Sequence, residues 1–98
     1  MIPKHKPFRS RRWMAAVGSI ECCVLCGGYG TQVAHRNEGK GMGQKCSDSL
    51  TAAICQECHH EIDNGKHLNK EQRHARMDKA IVRTLEQLTM EGLVDVVK

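Results

Sequence analysis

Two short cysteine pairs are the residues with the clearest chemistry in the sequence. The first pair is Cys23 and Cys26, and the second is Cys55 and Cys58. Two residues separate the cysteines of each pair, so both sulfurs of a tight turn can face one point and the two pairs can place four thiolates around one Zn²⁺ ion. Because a zinc ion with four sulfur ligands has no open position, we expect a structural role for this site.

The remaining cysteines leave the ligand set with alternatives. Cys22 is separated from Cys26 by three residues, which is also a known ligand spacing, but we favour Cys23 because a gap of two is commoner. His59, directly after the second pair, could replace a cysteine in a site with three sulfurs and one nitrogen. Cys46 has no partner at ligand spacing, so we expect an ordinary thiol there.

Histidines close to the cysteine pairs are the candidates for catalysis. His35 lies between the pairs, and an imidazole can act as a general base near neutral pH. His59 can bind a metal ion, and Asp63, four residues later on a predicted helix, could join it or orient its ring. His60 should lie on the opposite side of that helix turn, in solvent. A histidine beside a strand is by itself most often an ordinary surface or core residue, so the cysteine pairs carry this argument.

Length and composition indicate one small domain that needs a cross-link. The chain has 98 residues with one Phe, one Tyr and one Trp, which leaves few large side chains for a core. Six cysteines could form disulfides or bind metal. The basic residues 1–12 lead into no apolar signal segment, and no apolar run could span a bilayer. We therefore expect a cytoplasmic protein without membrane contact, in which the paired cysteines bind zinc.

Positive charge is concentrated in the first half of the chain. Residues 1–45 contain eight Lys and Arg against two Glu, a balance of +6, whereas residues 46–98 contain seven against nine, a balance of −2. Clustered basic side chains bind the phosphates of nucleic acid, although a charge run alone is more often a solvated surface. We expect a nucleic acid as the partner. The candidate contacts are Arg9, Arg11, Arg12, Arg36, Lys40 and Lys45, the last two in a glycine-rich loop.

The first half of the chain predicts a short helix and a hairpin. Residues 1–9 predict an arm without regular structure, and Ser10 can cap a helix over residues 11–17 that ends at Gly18. Trp13 lies on the apolar face of this helix, where we expect it to be buried. A strand is predicted over residues 29–34, and the apolar residues 50–54 lead into the second cysteine pair.

The second half predicts two helices and a short terminal strand. The first helix covers residues 56–64 and stops at Gly65; the second begins after Asn69, with Gln72 at the capping-box position, and Gly92 closes it. Met77, Ile81, Leu85 and Leu88 form an apolar stripe on the longer helix, with Ala80 and Thr84 beside it. Residues 93–97 alternate in polarity and predict a strand. The long helix packs on the zinc module in this interpretation, and a homodimer through it is the lesser alternative.

The order of these features resembles a known family. A cysteine pair, a hairpin carrying Ala34-His35-Arg36, and a second pair at the head of a helix continuing into Cys58-His59 and Ile62-Asp63 resemble the zinc-stapled HNH, or His-Me finger, endonucleases. The likeness is greatest to the small prophage-encoded YbcO-like nucleases and runs from about residue 22 to the C-terminus. It implies an α+β treble clef with a hairpin-and-helix metal core, between a short N-terminal helix and a long C-terminal one. The implied divisions are residues 1–20, 21–66 and 67–98.

The resemblance also implies an activity. It predicts a metal-dependent endonuclease that hydrolyses DNA phosphodiester bonds in phage or prophage DNA processing, with His35 as the general base. A Mg²⁺ or Mn²⁺ ion would be held by His59 with Asp63 or Asp48. Two positions depart from the family pattern: Ala34 stands where an Asp usually binds metal, and no Asn precedes the second pair. Asp48 could substitute for one of the two missing residues. The alternatives are a non-catalytic nucleic-acid-binding module and a zinc adaptor that binds protein through its C-terminal helix.

Overall fold

A two-stranded antiparallel hairpin and three helices make up the fold. The computed structural model describes residues 7–36 and 46–96. The elements are helix α1 (Arg11–Gly18), strands β1 (Gln32–His35) and β2 (Thr51–Ile54), and helices α2 (Gln56–Asn64) and α3 (Lys70–Met90). The fold is therefore α+β, as the sequence predicted. The first strand is shorter than predicted, because Tyr29 forms only an isolated bridge with Cys22 before the hairpin begins.

Strand β2 is the centre of the molecule. It pairs with β1 so that His35 lies opposite Thr51 and Ala34 opposite Ala52, and all four of its residues are buried. An isolated two-stranded sheet is marginally stable, so the hairpin depends on what covers it. Helix α3 provides that cover, and the Thr84 hydroxyl accepts a hydrogen bond of 3.1 Å from the backbone N–H of Ala53. The Thr84 hydroxyl thus gives a backbone N–H of the sheet the hydrogen-bond partner that a third strand would otherwise supply.

The alternating side chains of β2 divide the core into two clusters. Ala52 and Ile54 belong to a cluster that includes three of the paired cysteines, Cys23, Cys55 and Cys58, together with Ile62 and Met77. Ala53 points the other way, into a second cluster formed by Val17, Ile20 and Leu88. Successive residues of a strand face opposite sides, which explains this division. One cluster therefore joins the hairpin to α2, and the other joins it to α1.

Helix α3 begins and ends as its capping residues predict. The side chain of Asn69 accepts from the N–H of Gln72, whose own side chain accepts from the N–H of Asn69, so both halves of the capping box are present. At the other end Gly92 has φ +72°, and the N–H of Leu93 reaches the carbonyl of Leu88 at 2.9 Å. This 6→1 bond defines a Schellman motif, which a residue with positive φ completes.

The buried face of α3 differs from the predicted stripe. Met77 and Leu88 are buried as expected, but Ala80 and Thr84 form the centre of the face. Leu85 is 44% exposed, and Ile81 is only partly buried. The stripe is rotated toward the small residues because α3 lies directly against the backbone of β2, where an alanine and a threonine fit more closely than larger side chains.

Helix α1 and the preceding arm close the second cluster. The Ser10 hydroxyl accepts from the N–H of Trp13 at 3.1 Å, which confirms the predicted cap. Trp13 packs on the cluster and meets the ring of Phe8 edge-on, with centroids 6.0 Å apart. Phe8 is held in turn by backbone contacts to Ser47 and Asp48. Residues 7–10 form no helix or strand, as predicted, but these contacts attach them to the hairpin.

Two details of the second half correct the sequence prediction. Gly65 caps α2 with φ −62°, not with the left-handed backbone expected of a helix-ending glycine. It is needed for space, because a Cβ at this position would collide with the carbonyl of Glu61. Residues 93–96 form no strand, and residue 97 lies outside the described residues. The chain leaves the Schellman turn as irregular backbone, with Val94 packed against the second cluster.

None of the helices in residues 7–36 and 46–96 combines the length and the apolar composition that a membrane crossing requires.

Candidate metal centre and histidine cavity

The two cysteine pairs meet at one point. The sulfurs of Cys23, Cys26, Cys55 and Cys58 all lie within 4.8 Å of one another, and those of Cys26 and Cys55 are 3.7 Å apart. Four sulfurs placed tetrahedrally at the usual Zn–S distance would be about 3.8 Å apart. The predicted ligands are therefore brought together at a spacing that suits a zinc ion, and this group could hold a metal.

Backbone N–H groups stabilise the sulfurs of the first pair. Cys23 Sγ accepts from the N–H groups of Leu25 and Cys26 at 3.4 and 3.5 Å, and Cys26 Sγ accepts from that of Gly28 at 3.4 Å. The turn requires φ +78° at Gly27, a conformation that glycine adopts without strain. The glycines after the first pair thus shape the turn that directs N–H donors at sulfur.

The second pair is built into the start of α2. Cys55 is the N-cap residue, and its sulfur accepts from the N–H of Cys58 at 3.4 Å. Cys55, Cys58 and Ile62 share the buried face of the helix, as their spacing predicted. The metal centre therefore ties the first turn of α2 to the loop before the hairpin.

The thiol pKa values indicate that these sulfurs do not all ionise readily without a bound cation. Burial raises the pKa of Cys23, but backbone hydrogen bonds outweigh this effect and lower the pKa to about 6. Burial and the neighbouring thiols raise the pKa of Cys58 well above its usual value. The thiolate of Cys23 is thus favoured, while Cys26 and Cys58 resist ionisation beside it. A bound cation removes this conflict, because it stabilises all four thiolates together.

The other candidates for this centre lie outside it. Cys22 is not part of the sulfur group, whereas Cys23 is, which supports the choice of Cys23 as the ligand. Cys46 is buried elsewhere, next to the arm, where its carbonyl accepts from Arg9 at 2.6 Å. Among the described residues, the group that could bind metal contains the four paired cysteines and does not include His59.

The two candidate catalytic histidines line one cavity. It has a volume of about 350 Å³ and lies between the end of β1, α2 and the first turns of α3. His35 enters it from β1, and His59 and Asp63 enter it from α2. Ile62 and Met77 form its apolar part. The rings that sequence analysis proposed as base and metal ligand therefore face a shared space.

His35 is oriented by Asp48. Its Nε2 lies 3.0 Å from Asp48 Oδ1, and its side chain is 15% exposed. Because an ionised carboxylate only accepts hydrogen bonds, a neutral His35 must carry its proton on Nε2 in this contact. The lone pair then remains on Nδ1, which is the ring atom that can take up a proton.

Asp48 is held by the N-terminal arm. Its Oδ2 accepts from the N–H of Ser10 at 2.7 Å, and its Oδ1 lies 3.4 Å from the guanidinium of Arg9. Burial raises the pKa of Asp48, but the contacts with His35, Ser10 and Arg9 outweigh it and hold the pKa below its usual value. The carboxyl group is thus ionised at neutral pH. Asp48 contacts His35 and the arm, and it does not line the cavity that contains His59 and Asp63.

His59 and Asp63 form a pair that suits a cation. His59 Nδ1 lies 2.7 Å from Gln32 Oε1, and its Nε2 lies 3.2 Å from Asp63 Oδ2. With the proton on Nδ1 donated to Gln32, the lone pair of Nε2 faces a carboxylate oxygen. A metal ion bound by both atoms would remove the repulsion between these two acceptors. Neighbouring ligands of an octahedral ion are about 3 Å apart, so this pair suits a divalent cation.

Three cavity residues come from α3 and were missed by sequence analysis. They are Lys70, Arg73 and His74, and sequence analysis assigned this part of the chain to packing. They precede Met77 by seven, four and three residues, so they continue the buried face of α3 toward its N-terminus. Basic residues at positions that the helical period assigns to the core were the signal that could have found them.

The predicted DNA contacts lie in different places. Arg36 lines the cavity and pairs with Asp78 at 3.3 Å. Arg9 and Arg11 lie beside Asp48, around a separate depression. Arg12 lines a groove on the other side of α1. Lys40 and Lys45 lie outside the described residues.

This fold and its cysteine group define a small α+β protein with a candidate metal centre. The chain belongs to the family described as "Protein of unknown function (DUF968)", which matches residues 1–92. No curated protein and no solved structure matches the chain significantly. The matched range includes every described helix and strand. Since the family's function is unknown, the site itself is the guide to function.

Proposed function

We propose that this protein is a metal-dependent endonuclease that hydrolyses DNA phosphodiester bonds and is stabilised by a structural zinc ion. The observation that carries the proposal is the cavity shared by His35 and the His59–Asp63 pair. The order of cysteine turn, hairpin and cysteine-headed helix supports a treble clef of the HNH type. Phage or prophage DNA processing is the setting that the resemblance implies.

His35 is the general base in this proposal. Asp48 fixes its tautomer and ring orientation, and Nδ1 takes the proton from the attacking water. The arm fixes Asp48 in turn, so the base is oriented through Asp48 by the backbone N–H of Ser10. This carboxylate takes the orienting role that the missing Asn has in the family pattern. A positioned base contributes about 10² to 10⁴-fold to the rate of such a reaction.

His59 and Asp63 are the proposed ligands of the catalytic ion. A Mg²⁺ or Mn²⁺ ion at this pair would act as a Lewis acid on the phosphate and stabilise the leaving oxygen. Gln32 holds the His59 ring from the hairpin, which presents Nε2 to the ion. Ala34 adds no ligand, since its side chain is buried and pairs across the hairpin with Ala52. The ion therefore has two side-chain ligands, a number suited to Mg²⁺, which keeps several waters.

A plasmid-nicking assay tests the proposal. We expect the zinc-loaded protein to cut supercoiled DNA with Mg²⁺ or Mn²⁺, and His35→Ala to lower the rate by at least about 10²-fold without loss of DNA binding. His60→Ala is the matched control, because His60 is exposed on the same helix and should leave the rate unchanged. Wild-type protein that binds DNA but never nicks it would contradict catalysis.

That contrary result would favour a non-catalytic nucleic-acid-binding module. The observation on its side is Ala34, which leaves the proposed ion with fewer protein ligands than the family pattern provides. Basic side chains line the cavity in either case. DNA binding that weakens steeply with salt, together with no cutting under any divalent ion, would establish this second function.

Binding of a second copy or another protein through α3 stays a prediction. Leu85, which the sequence placed in the buried stripe, is 44% exposed, and Val82 beside it is 66% exposed. Light scattering of the zinc-loaded protein would show a mass of twice 11.0 kDa if α3 forms a homodimer.

A further inference from the structure

The first turns of α3 place two cations in the proposed active site. Lys70 and Arg73 are three residues apart on the helix and both line the cavity of His35 and His59. Asn69 fixes this end of α3 through its capping box, so the backbone under both side chains is held in place. The cations thus stand on a rigid element opposite the proposed base and metal ligands.

Arg73 is positioned but its donors are not used up. One NH2 group donates to the carbonyl of Gly65 at 2.9 Å, which ties the side chain to the turn between α2 and α3. Its Nε–H is buried and has no hydrogen-bond partner in the part of the chain that the structure describes. A guanidinium has five N–H donors, and planar donors of this kind suit phosphate oxygens. The contact with Gly65 uses one of the five donors, and because the Nε–H is buried, the remaining terminal N–H groups are the ones that can donate to a phosphate.

Nearby acidic groups do not neutralise these two cations. Arg36 pairs with Asp78, and Glu61 pairs with Arg76, which lies outside the cavity. Neither Lys70 nor Arg73 forms an ion pair with any residue in the described ranges. Asp63 is the carboxylate of the cavity, and it faces His59 at 3.2 Å. The α3 side of the cavity is therefore positively charged, as a site for an anionic ligand would be.

We infer that Arg73 and Lys70 each bind a backbone phosphate of the DNA strand whose scissile bond faces His35. This inference rests on the proposed function and adds α3 to the substrate-binding surface. Phosphate contacts fix the register of nucleic acid on a protein without reading its sequence. The two side chains would thus place the strand across the cavity and leave base recognition to other residues.

The salt dependence of DNA binding tests this inference. Binding of a short fluorescent DNA duplex is measured by anisotropy with zinc-loaded His35→Ala protein and no added Mg²⁺ or Mn²⁺. Each lost phosphate contact lowers the slope of log K against log salt by about 0.9. We expect Arg73→Gln and Lys70→Gln each to produce this loss of slope. The ratio of the parent's binding constant to the variant's should then shrink about 3.5-fold between about 50 and 200 mM salt.

Arg83→Gln is the matched control. Arg83 lies on the same helix and also donates to a backbone carbonyl, that of Val24 at 3.0 Å, but it does not line the cavity. Its slope should equal that of the parent. Lys70→Gln guards against a folding defect in Arg73→Gln, since Lys70 is exposed.

Each outcome has a distinct meaning for the two proposals. Unchanged slopes in both the Arg73 and the Lys70 variants, or equal losses in the Arg83 variant, would overturn the inference even if wild-type protein cuts DNA. Lower slopes with no cutting by wild-type protein would support the phosphate site and reject the nuclease. Failure of the parent protein to bind DNA would reject both.

Discussion

The cysteine centre and the histidine cavity use neighbouring residues of the same helix for opposite purposes. Cys58 is 8% exposed and faces the core, whereas the side chain of the next residue, His59, is 31% exposed and lines the cavity. Successive helical residues point about 100° apart, so one turn of α2 serves both sites. The comparison shows how adjacent residues of one helical turn can direct their side chains into two different candidate sites.

The two sites differ in how their geometry is fixed. Each cysteine turn is held mainly by local N–H···S bonds, and three of the four cysteines are buried, whereas Cys26 is exposed. The cavity depends on contacts between distant parts of the chain, such as His35 with Asp48 and His59 with Gln32. The first site should therefore control the fold, and the second should control function with little effect on the fold. The predictions below test this division.

The largest effect should follow loss of the metal centre. Structural zinc binding is worth on the order of 10 kcal/mol, which is comparable to the whole stability of a small domain. We expect Cys58→Ser, or a strong chelator, to remove the metal and unfold the hairpin and α2. Metal content and circular dichroism measure the outcome. Cys22→Ser is the control, because Cys22 is exposed and outside the sulfur group; an unchanged spectrum in the chelated protein would refute the prediction.

A smaller effect is expected at Asp48, which belongs to the cavity side of the comparison but is itself buried. Asp48→Asn removes an acceptor from Ser10 or His35, and hydrogen bonds to charged groups contribute about 2 kcal/mol each. Denaturant unfolding at pH 7 measures the loss. Asp78→Asn is the control, since its contact with Arg36 is half-exposed and should contribute less than about 1 kcal/mol.

The Asp48 effect should depend on pH in a defined direction. The folded-state pKa of Asp48 is lowered, so the carboxylate stabilises the fold fully above its unfolded pKa of about 4. This stability is lost as pH falls through the folded-state value. The difference between wild type and Asp48→Asn should therefore be constant near neutrality and shrink in acid. A difference that grows as the pH falls below about 4 would contradict this assignment.

Local patterns allowed much of the fold and the cysteine centre to be predicted. The capping residues Ser10 and Asn69 and the cysteine spacing act within a few residues, so sequence alone shows them. The face of α3 was misjudged because its neighbour is the β2 backbone, whose demand for the Thr84 hydroxyl is a tertiary contact. Arg73 entered the site for a similar reason, since the turn at Gly65 decides where α3 begins relative to α2.

Loss of the α3 capping box, at the edge of the cavity, should have an intermediate effect on stability. Asn69→Ala should cost about 1 kcal/mol, because it exposes N–H groups in the first turn of the helix. That turn carries Lys70, so fraying should also weaken DNA binding. Thermal melting and anisotropy measure the two effects. Gln72→Ala removes only the reciprocal half of the box and should give a smaller change in both; an equal or larger change would contradict the capping argument.

The smallest effect on stability should come from the residue that is most important for the proposed ion. His59→Ala removes a partly exposed ring whose two contacts, with Gln32 and Asp63, lie at the surface, so the free energy of unfolding should change by less than about 1 kcal/mol. The same variant should lose Mn²⁺ binding, measured by calorimetry on zinc-loaded protein, and with it DNA nicking. Cys58 lies one residue away, and its loss should unfold the domain; the contrast between these adjacent positions is the sharpest form of the comparison. If His59→Ala instead released the structural zinc, the two sites would share a ligand, and the division between scaffold and chemistry would be wrong.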